Sequence, residues 1–320
     1  MRWGWFALLV AACSTSSPEV RAVEQGLTKC PDMTVEGLDV YAGTGVIDWG
    51  KVATSGRGFA FIKATQGDYN TQATFATNWS AALAAGVKRS PYHFFDGTID
   101  GIAQANAFLA DVTAAGGLQV GDLPAMLDIE CPTSSVQANA QANCEHTGDS
   151  GWVATATLNQ RIFDWLDTVQ TATGRAPIIY SYPSWFADAK VTDARLTNYP
   201  LFIASYNSCA TIPQPWTDAT FWQYSATGTV PGVTGTADVD VDRFFGSAAD
   251  LDGFTIQPPT PPPPPPPDPD AGVGVDPMDP NQPAGCGCHG GVSPPAWSVA
   301  ALGVLMLMTR RKKPRKRSRS

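Results

Sequence analysis

The chain has 320 residues, with 29 acidic and 21 basic side chains and a formal net charge of −8 at pH 7. Because the basic residues are concentrated after Thr309, the middle of the chain is more acidic than the whole and presents no basic face for phosphates, which excludes a nucleic-acid-binding protein. The same acidity means that a polymer substrate is held by something other than attraction to positive charge.

The first 22 residues have the order of features found in signal peptides. Arg2 is followed by an apolar run over 3–10 and then by small residues, which predicts export. Residues 10–13 resemble a bacterial lipobox, in which the thiol of Cys13 is acylated. The alternative is an ordinary cleavage after Ala22, which discards Cys13.

Residues 30–257 are long enough for one α/β domain, and short apolar or aromatic segments recur along them. Each segment is bounded by Gly, Pro or polar residues, the pattern typical of β-strands. The predicted strands cover 37–41, 58–63, 91–95, 124–130, 177–182, 201–206, 220–224 and 239–244.

Helical periodicity occupies the gaps between the earlier strands. Apolar residues recur at helical spacing over 75–87 and 158–169, and 103–112 also has helical character. The gaps between the last three strands are rich in Pro, Gly and Thr and too short for an ordinary helix. The sequence therefore predicts an α/β fold, a TIM-like (β/α)5(β)3 barrel whose incomplete helical shell leaves one side of the mouth open to a long chain.

Acidic residues fall where the predicted strands reach the mouth of such a barrel. Asp39 ends the first strand, Asp128 and Glu130 end the fourth, and Asp240 lies in the eighth. Residues two apart on a strand point the same way, so Asp128 and Glu130 share the interior. Crowding raises the pKa of at least one such acid, and a protonated acid beside ionised ones is what glycoside hydrolysis requires. A divalent metal site is the other common use of clustered acids.

Aromatic side chains gather at the same strand ends, where they can stack on sugar rings and hydrogen-bond sugar hydroxyls. The predicted substrate contacts are Tyr41, Tyr92, Tyr182, Tyr206 and Trp222. For Trp222, as for Phe94, ordinary barrel core is the alternative. His93 alternates with Tyr92 and is predicted to face the helical layer as a structural residue. No Ser-His-Asp set is evident, since the domain holds only His93 and His146.

The domain contains four cysteines, an even number that predicts disulfides in an exported protein. They are Cys30, Cys131, Cys144 and Cys209. Of the three pairings that four cysteines allow, a bond between Cys131 and Cys144 is favoured because a short loop joins them. A zinc site is not expected, because no CxxC motif or paired histidines accompany the cysteines, and neither a metal ligand set nor a cofactor is predicted.

The C-terminal part has the composition of a spacer and an anchor. Residues 258–285 are Pro-rich and predicted to be a disordered linker, with polyproline geometry over 261–267. Residues 286–320 contain a Cys-Gly-Cys motif, an apolar stretch over 296–308 and a basic cluster, and they resemble MYXO-CTERM sorting tails. A plain membrane anchor is the alternative, and both place the domain outside the cytoplasm.

Several motifs in order along residues 36–246 resemble the family-25 glycoside hydrolases, the Chalaropsis-type lysozymes. They are Gly37-Leu38-Asp39-Val40-Tyr41, Ile47-Asp48-Trp49, 59–65, Tyr92-His93-Phe94, Leu127-Asp128-Ile129-Glu130, Ile179-Tyr180-Ser181 and Trp222-Gln223-Tyr224-Ser225. The resemblance implies a flattened barrel and hydrolysis of the β-1,4 bond between N-acetylmuramic acid and N-acetylglucosamine in peptidoglycan.

The resemblance also implies roles for the acids. Glu130 matches the proton donor, Asp128 the neighbouring carboxylate that orients the acetamido group or steadies charge, and Asp39 and Asp240 the remaining acids. Asp238 is the alternative counterpart of Asp240, which is preferred because it keeps Phe244 in register.

One position departs from the family pattern: Gln66 stands where Glu is usual after Lys-Ala-Thr. An amide keeps the shape and the hydrogen bonds but loses a negative charge, which lowers the proton affinity of nearby acids. Gln66 is predicted to be a substrate-binding residue. The expected substrate is the peptidoglycan glycan strand, and the protein is expected to be an exported monomer that meets the membrane through its termini only. The alternatives are a catalytically silent wall-binding module and a glycosidase of a related polymer such as chitin.

Overall fold

The structure is a computed structural model, and it describes residues 27–130, 153–235 and 238–258. The strands are β1 (Leu27–Lys29), β2 (Thr34–Val40), β3 (Val46–Ile47), β4 (Phe59–Gln66), β5 (Asn70–Thr71), β6 (Lys88–Phe94), β7 (Met126–Asp128), β8 (Ile178–Ser181), β9 (Leu201–Ala204), β10 (Ala210–Ile212), β11 (Phe221–Gly228), β12 (Val233–Thr234) and β13 (Val239–Phe245). The α-helices are α1 (Trp49–Thr54), α2 (Phe75–Ala84), α3 (Gly101–Ala114), α4 (Thr155–Thr173), α5 (Pro183–Ala189) and α6 (Ala248–Phe254), and 3-10 helices span Ala42–Thr44 and Ala194–Asn198.

Eight of the strands form a closed sheet. Their spatial order is β2-β13-β11-β9-β8-β7-β6-β4, and β4 pairs with β2 to close the circle. These are the eight strands predicted from the sequence, and each overlaps its predicted range. The prediction of an α/β barrel is therefore confirmed.

The direction of the last strand differs from the parallel arrangement assumed from the sequence. All other neighbouring strands of the barrel are parallel, but β13 runs antiparallel to both β11 and β2. A strand that runs backwards begins where its parallel neighbours end. The first residues of β13 therefore lie at the same rim as the last residues of β2 and β7.

Helices α1 to α5 follow the first five barrel strands, one after each. In α4 the buried side chains recur at the predicted helical spacing and include Leu158, Ile162 and Val169. No helix lies among the described residues between β9, β11 and β13. The predicted helical shell, incomplete on one side, is confirmed.

Alternation along the strands separates two apolar clusters. One lies inside the barrel at the end opposite the mouth and includes Phe59, Phe61, Phe202 and Phe221, whose rings pack with centroids 4.8–5.8 Å apart. The other lies between the sheet and the helices. Gly37 has no side chain where the ring of Phe59 crosses β2, and a Cβ there would overlap that ring. The interior is thus filled by rings at one end, which leaves its polar residues at the other.

The side of the barrel without helices is covered by aromatic rings and by the N-terminal segment. Trp222 stacks on Phe245 with ring centroids 6.0 Å apart, and Lys29 lies over Phe245. Strand β1 pairs with β10, and a disulfide joins Cys30 to Cys209 beside this pair. The N-terminal segment therefore occupies the place of a missing helix.

This arrangement decides one of the sequence predictions and leaves another open. Trp222 as a substrate contact is wrong, because it is only 1% exposed, faces outward and donates its indole N–H to the carbonyl of Ser205 (2.7 Å). The favoured disulfide between Cys131 and Cys144 lies outside the described residues and stays a prediction. None of the helices in the described ranges has both the length and the apolar character needed to cross a membrane.

Candidate active site

The four predicted acids line one cavity of about 500 Å³ at the rim of the barrel. Asp39 and Asp128 lie at the ends of β2 and β7, and Glu130 follows two residues later. Asp240, the second residue of β13, is the direct cross-strand partner of Asp39. The structure thus brings together side chains that are distant in sequence, and the antiparallel direction of β13 is what places Asp240 there.

Burial is the main reason why protons are retained in this cavity. It raises the pKa of Glu130 to about 7, against an opposing effect of Lys63 and with a smaller contribution from Asp240. Burial likewise raises the pKa of Asp128 well above its usual range, and the charge of Glu130 adds to this. Crowding, the cause expected from the sequence, is therefore the second contribution, and desolvation is the first.

Asp39 and Asp240 form a carboxyl pair. Burial raises the pKa of Asp39 well above its usual value, and the charges of Asp240 and Asp242 raise it further. Burial also raises the pKa of Asp240 to about 6, and a hydrogen bond with Asp39 opposes the rise. The arrangement fits a protonated Asp39 that donates to an ionised Asp240, because two adjacent carboxylates do not ionise together easily.

Lys63 is a site residue that the sequence analysis did not single out. It lines the cavity with the acids, and its side chain is largely buried, with its ammonium 4.1 Å from the centre of the Phe94 ring. Burial lowers its pKa, while Asp128, Glu130 and Asp39 raise it. The signal was present in the alternation of β4, since Lys63 follows Phe59 and Phe61 at intervals of two and so points inward.

Gln223 is a second residue that was missed. Its Nε2 donates to Asp39 Oδ2 (2.7 Å), and its Oε1 accepts from the hydroxyls of Tyr206 (2.6 Å) and Tyr180 (3.1 Å). The amide thereby connects two tyrosines to the carboxyl pair. Its inward direction follows from alternation with the core residue Phe221.

The predicted aromatic contacts divide into three groups. Tyr41 and Tyr206 line the cavity and are exposed, at 46% and 59% respectively, whereas Tyr92 lines it from a buried position. Tyr182 is not among the described residues that line the cavity, and its hydroxyl donates to the backbone carbonyl of Glu130 (3.5 Å). Gln66 lines the cavity as predicted, and Tyr180, which had not been selected, does so too.

Asp242 lies one inward position below Asp240 on β13. It is fully buried, and neither of its carboxylate oxygens has a hydrogen-bond partner among the described residues. Burial raises its pKa well above the usual range, and the charge of Asp240 adds to the rise. Asp242 therefore lies beneath the cavity, where its charge affects the pKa of Asp39 although Asp242 does not reach the cavity surface.

His93 has the structural role predicted for it. It is completely buried and stacks on Trp165 with centroids 5.5 Å apart. Its ring nitrogens contact Thr65 Oγ1 (2.7 Å) and Gln104 Oε1 (3.1 Å). Burial lowers the pKa of His93 to about 3, so the ring is neutral at physiological pH.

Comparison with known proteins places these features in a family context. The sequence model of the family described as "Glycosyl hydrolases family 25" matches residues 38–233. Lysozyme M1 of Streptomyces globisporus is 33% identical over 243 residues, which is 72% of this chain and 77% of that protein. An N,O-diacetylmuramidase of Chalaropsis sp is 30% identical over 203 residues, which is 60% of this chain and 88% of that protein.

Solved structures give the same result. The bacterial lysozyme from Streptomyces coelicolor is 33% identical with a TM-score of 0.60, and the match covers 69% of this chain and 96% of that one. A family GH25 lysozyme from Aspergillus fumigatus is 28% identical with a TM-score of 0.58, covering 70% of this chain and 99% of that one. The match in each case spans nearly the whole of the solved chain.

Proposed function

The chain belongs to glycosyl hydrolase family 25, and we propose that it is a peptidoglycan hydrolase of the lysozyme type in which Glu130 is the proton donor. The bond cleaved is the β-1,4 linkage between N-acetylmuramic acid and N-acetylglucosamine. The observation that carries the assignment is the convergence of Asp39, Asp128, Glu130 and Asp240 on one open cavity.

Glu130 has the protonation state that the reaction needs. With a pKa of about 7, it carries its proton under neutral to mildly acidic conditions, and it gives this proton to the glycosidic oxygen as the bond to the anomeric carbon breaks. The hydroxyl of a water molecule ends on that carbon, and the remaining proton of the water restores the acid. Ionised Asp240 stabilises the positive charge that develops on the sugar ring.

Asp128 is placed to orient the substrate. Its Oδ1 is buried at the cavity and has no hydrogen-bond partner among the described residues, so a polar group of the sugar, such as the acetamido group, can satisfy it. Tyr41 and Tyr206 are exposed at the rim, where their rings can stack on neighbouring sugars of a glycan strand. A sugar backbone that is held by ring stacking and hydrogen bonds suits a cavity whose charged groups are mostly acidic.

The test is the variant Glu130→Gln, with Asp32→Asn as the matched control. Asp32 is exposed and precedes β2, so it lies at the opposite end of the barrel. We expect Glu130→Gln to lower the release of reducing ends from purified sacculi by about 10²–10⁴-fold, with unchanged thermal unfolding and unchanged activity of the control.

The products identify the substrate. Mass spectrometry of digested sacculi should find N-acetylmuramic acid at the new reducing ends, and chitin should be cleaved more slowly than cell walls. Wall binding without turnover by the unaltered chain would instead establish a silent binding module, and full activity of Glu130→Gln would remove this residue from the mechanism.

We also propose that the enzyme works outside the cytoplasm. The disulfide between Cys30 and Cys209 supports this, because such bonds persist in oxidising compartments, and the substrate lies there. The signal peptide over 1–22, the linker over 258–285 apart from Pro258, and the sorting tail over 286–320 lie outside the described residues and stay predictions. So does the monomeric state.

A further inference from the structure

We propose that Lys63 is a positioning residue for the acids of this site and that Gln66, because it is neutral, holds the working pH range lower than an acidic residue at position 66 would. The proposal rests on the proposed function, since it assigns Glu130 as the proton donor. It concerns the pair formed by Lys63 and Gln66, whose side chains lie three residues apart at the end of β4.

The contacts of Lys63 define where its charge lies. The side chain is 8% exposed, and its Nζ donates to Gln66 Oε1 at 3.0 Å and lies 4.1 Å from the centre of the Phe94 ring. Gln66 is itself oriented, because its Nε2 donates to the hydroxyl of Tyr69 (3.4 Å) and so directs the amide oxygen towards Lys63. Both near partners of the ammonium are therefore held in place and carry no net charge.

The charge of Lys63 is consequently available to the acids. The titratable groups that face it and Glu130 come from each element around the rim. They are Asp39 from β2, Tyr92 from β6, Asp128 from β7, Tyr180 from β8, Tyr182 just after β8, Tyr206 just after β9, Asp240 from β13, and Tyr69 with Asp96 beside Gln66. Lys63 is the one cation among the described residues that line the cavity.

A carboxylate at position 66 would change this balance in two ways that act in the same direction. It would form an ion pair with Lys63 and so cancel much of the charge that the acids experience, and it would add a negative charge to the cavity. Both effects favour the protonated form of Glu130 and Asp128. The pH above which Glu130 loses its proton should therefore rise.

The experiment uses the full chain and compares Gln66→Glu and Lys63→Met with the control Gln72→Glu. Gln72 lines the same cavity, but its Oε1 accepts from the backbone N–H of Ala42 and its Nε2 donates to Asn70, so this control adds the same charge without a contact to Lys63. The pH dependence of kcat/KM is measured on soluble glycan fragments, and the Glu130 carboxyl is titrated by carbon NMR.

We expect Gln66→Glu and Lys63→Met each to move the alkaline limb of the profile and the NMR titration of Glu130 upwards by about one pH unit. Gln72→Glu should move them by less than half as much. The proposal is overturned if Gln66→Glu leaves the titration of Glu130 in place or moves it no further than Gln72→Glu does. Should Lys63→Met fold poorly, Gln66→Glu alone decides.

The two proposals fail separately. The NMR titration needs no turnover, so it tests the Lys63–Gln66 pair even if the chain proves to be inactive on cell walls. Conversely, activity that depends on Glu130 together with an unmoved titration in Gln66→Glu would preserve the proposed function and remove only this inference.

Discussion

Replacing Gln223 with Leu tests whether its amide maintains the carboxyl pair. Gln223 is buried and contacts three groups, of which Asp39 and Tyr180 are buried and Tyr206 is mostly exposed. In Gln223→Leu, water can replace the lost partner of Tyr206, but Asp39 and Tyr180 are each left with an unsatisfied group at about 1–3 kcal/mol. The apolar side chain of Leu regains part of this, so we expect a net loss of about 2–4 kcal/mol in the free energy of unfolding.

The assay is urea denaturation at pH 7, followed by tryptophan fluorescence, with Tyr206→Phe as the control. The control removes one hydrogen bond from an exposed tyrosine and should lower the free energy of unfolding by about 1 kcal/mol or less. The hydrogen bond from Gln223 lowers the pKa of Asp39, so its loss in Gln223→Leu should raise that pKa. If Gln223→Leu were as stable as the parent chain, or no less stable than Tyr206→Phe, the network would not have the energetic role argued from its geometry.

Two further predictions concern buried charges. Burial raises the pKa of Asp242 above its unfolded value, so the native state loses stability as pH rises through the raised value. Asp242→Asn should therefore stabilise the protein at pH 8 by about 1–3 kcal/mol relative to its effect at pH 4. Equal effects of the substitution in denaturant titrations at the two pH values would refute this. Arg89 and Asp122 form an almost completely buried ion pair with an N–O distance of 2.8 Å. Arg89→Met should therefore lower the free energy of unfolding by about 3–5 kcal/mol, and adding Asp122→Leu should recover part of that loss. A double variant no more stable than Arg89→Met would contradict this.

Local patterns in the sequence were sufficient to locate the strands and the acids. Short apolar or aromatic runs bounded by Gly, Pro or polar residues identified all eight barrel strands, because each strand has one face in each of two apolar layers. Asp39, Asp128 and Glu130 could be placed at the rim because the end of a predicted strand is a local feature of the sequence. The structural role of His93 also followed from its alternation with Tyr92.

Other features depend on how distant segments meet. Alternation along β11 puts Trp222 and Gln223 on opposite faces of the strand. No local pattern shows which of these two faces is turned to the barrel interior. Lys63 carries an inward signal, but its meeting with Asp128 and Glu130 exists only after β4, β6 and β7 pair.

The sequence by itself determined the order of the strands and helices, the position of each acid on its strand and the family to which the chain belongs. The tertiary structure alone decided the antiparallel direction of β13, the contact between Asp39 and Asp240, and the hydrogen bonds of Gln223. The physical reason is that side-chain periodicity depends on the local environment of each strand, whereas strand direction and pKa depend on closure of the sheet and on burial by residues far away in the chain.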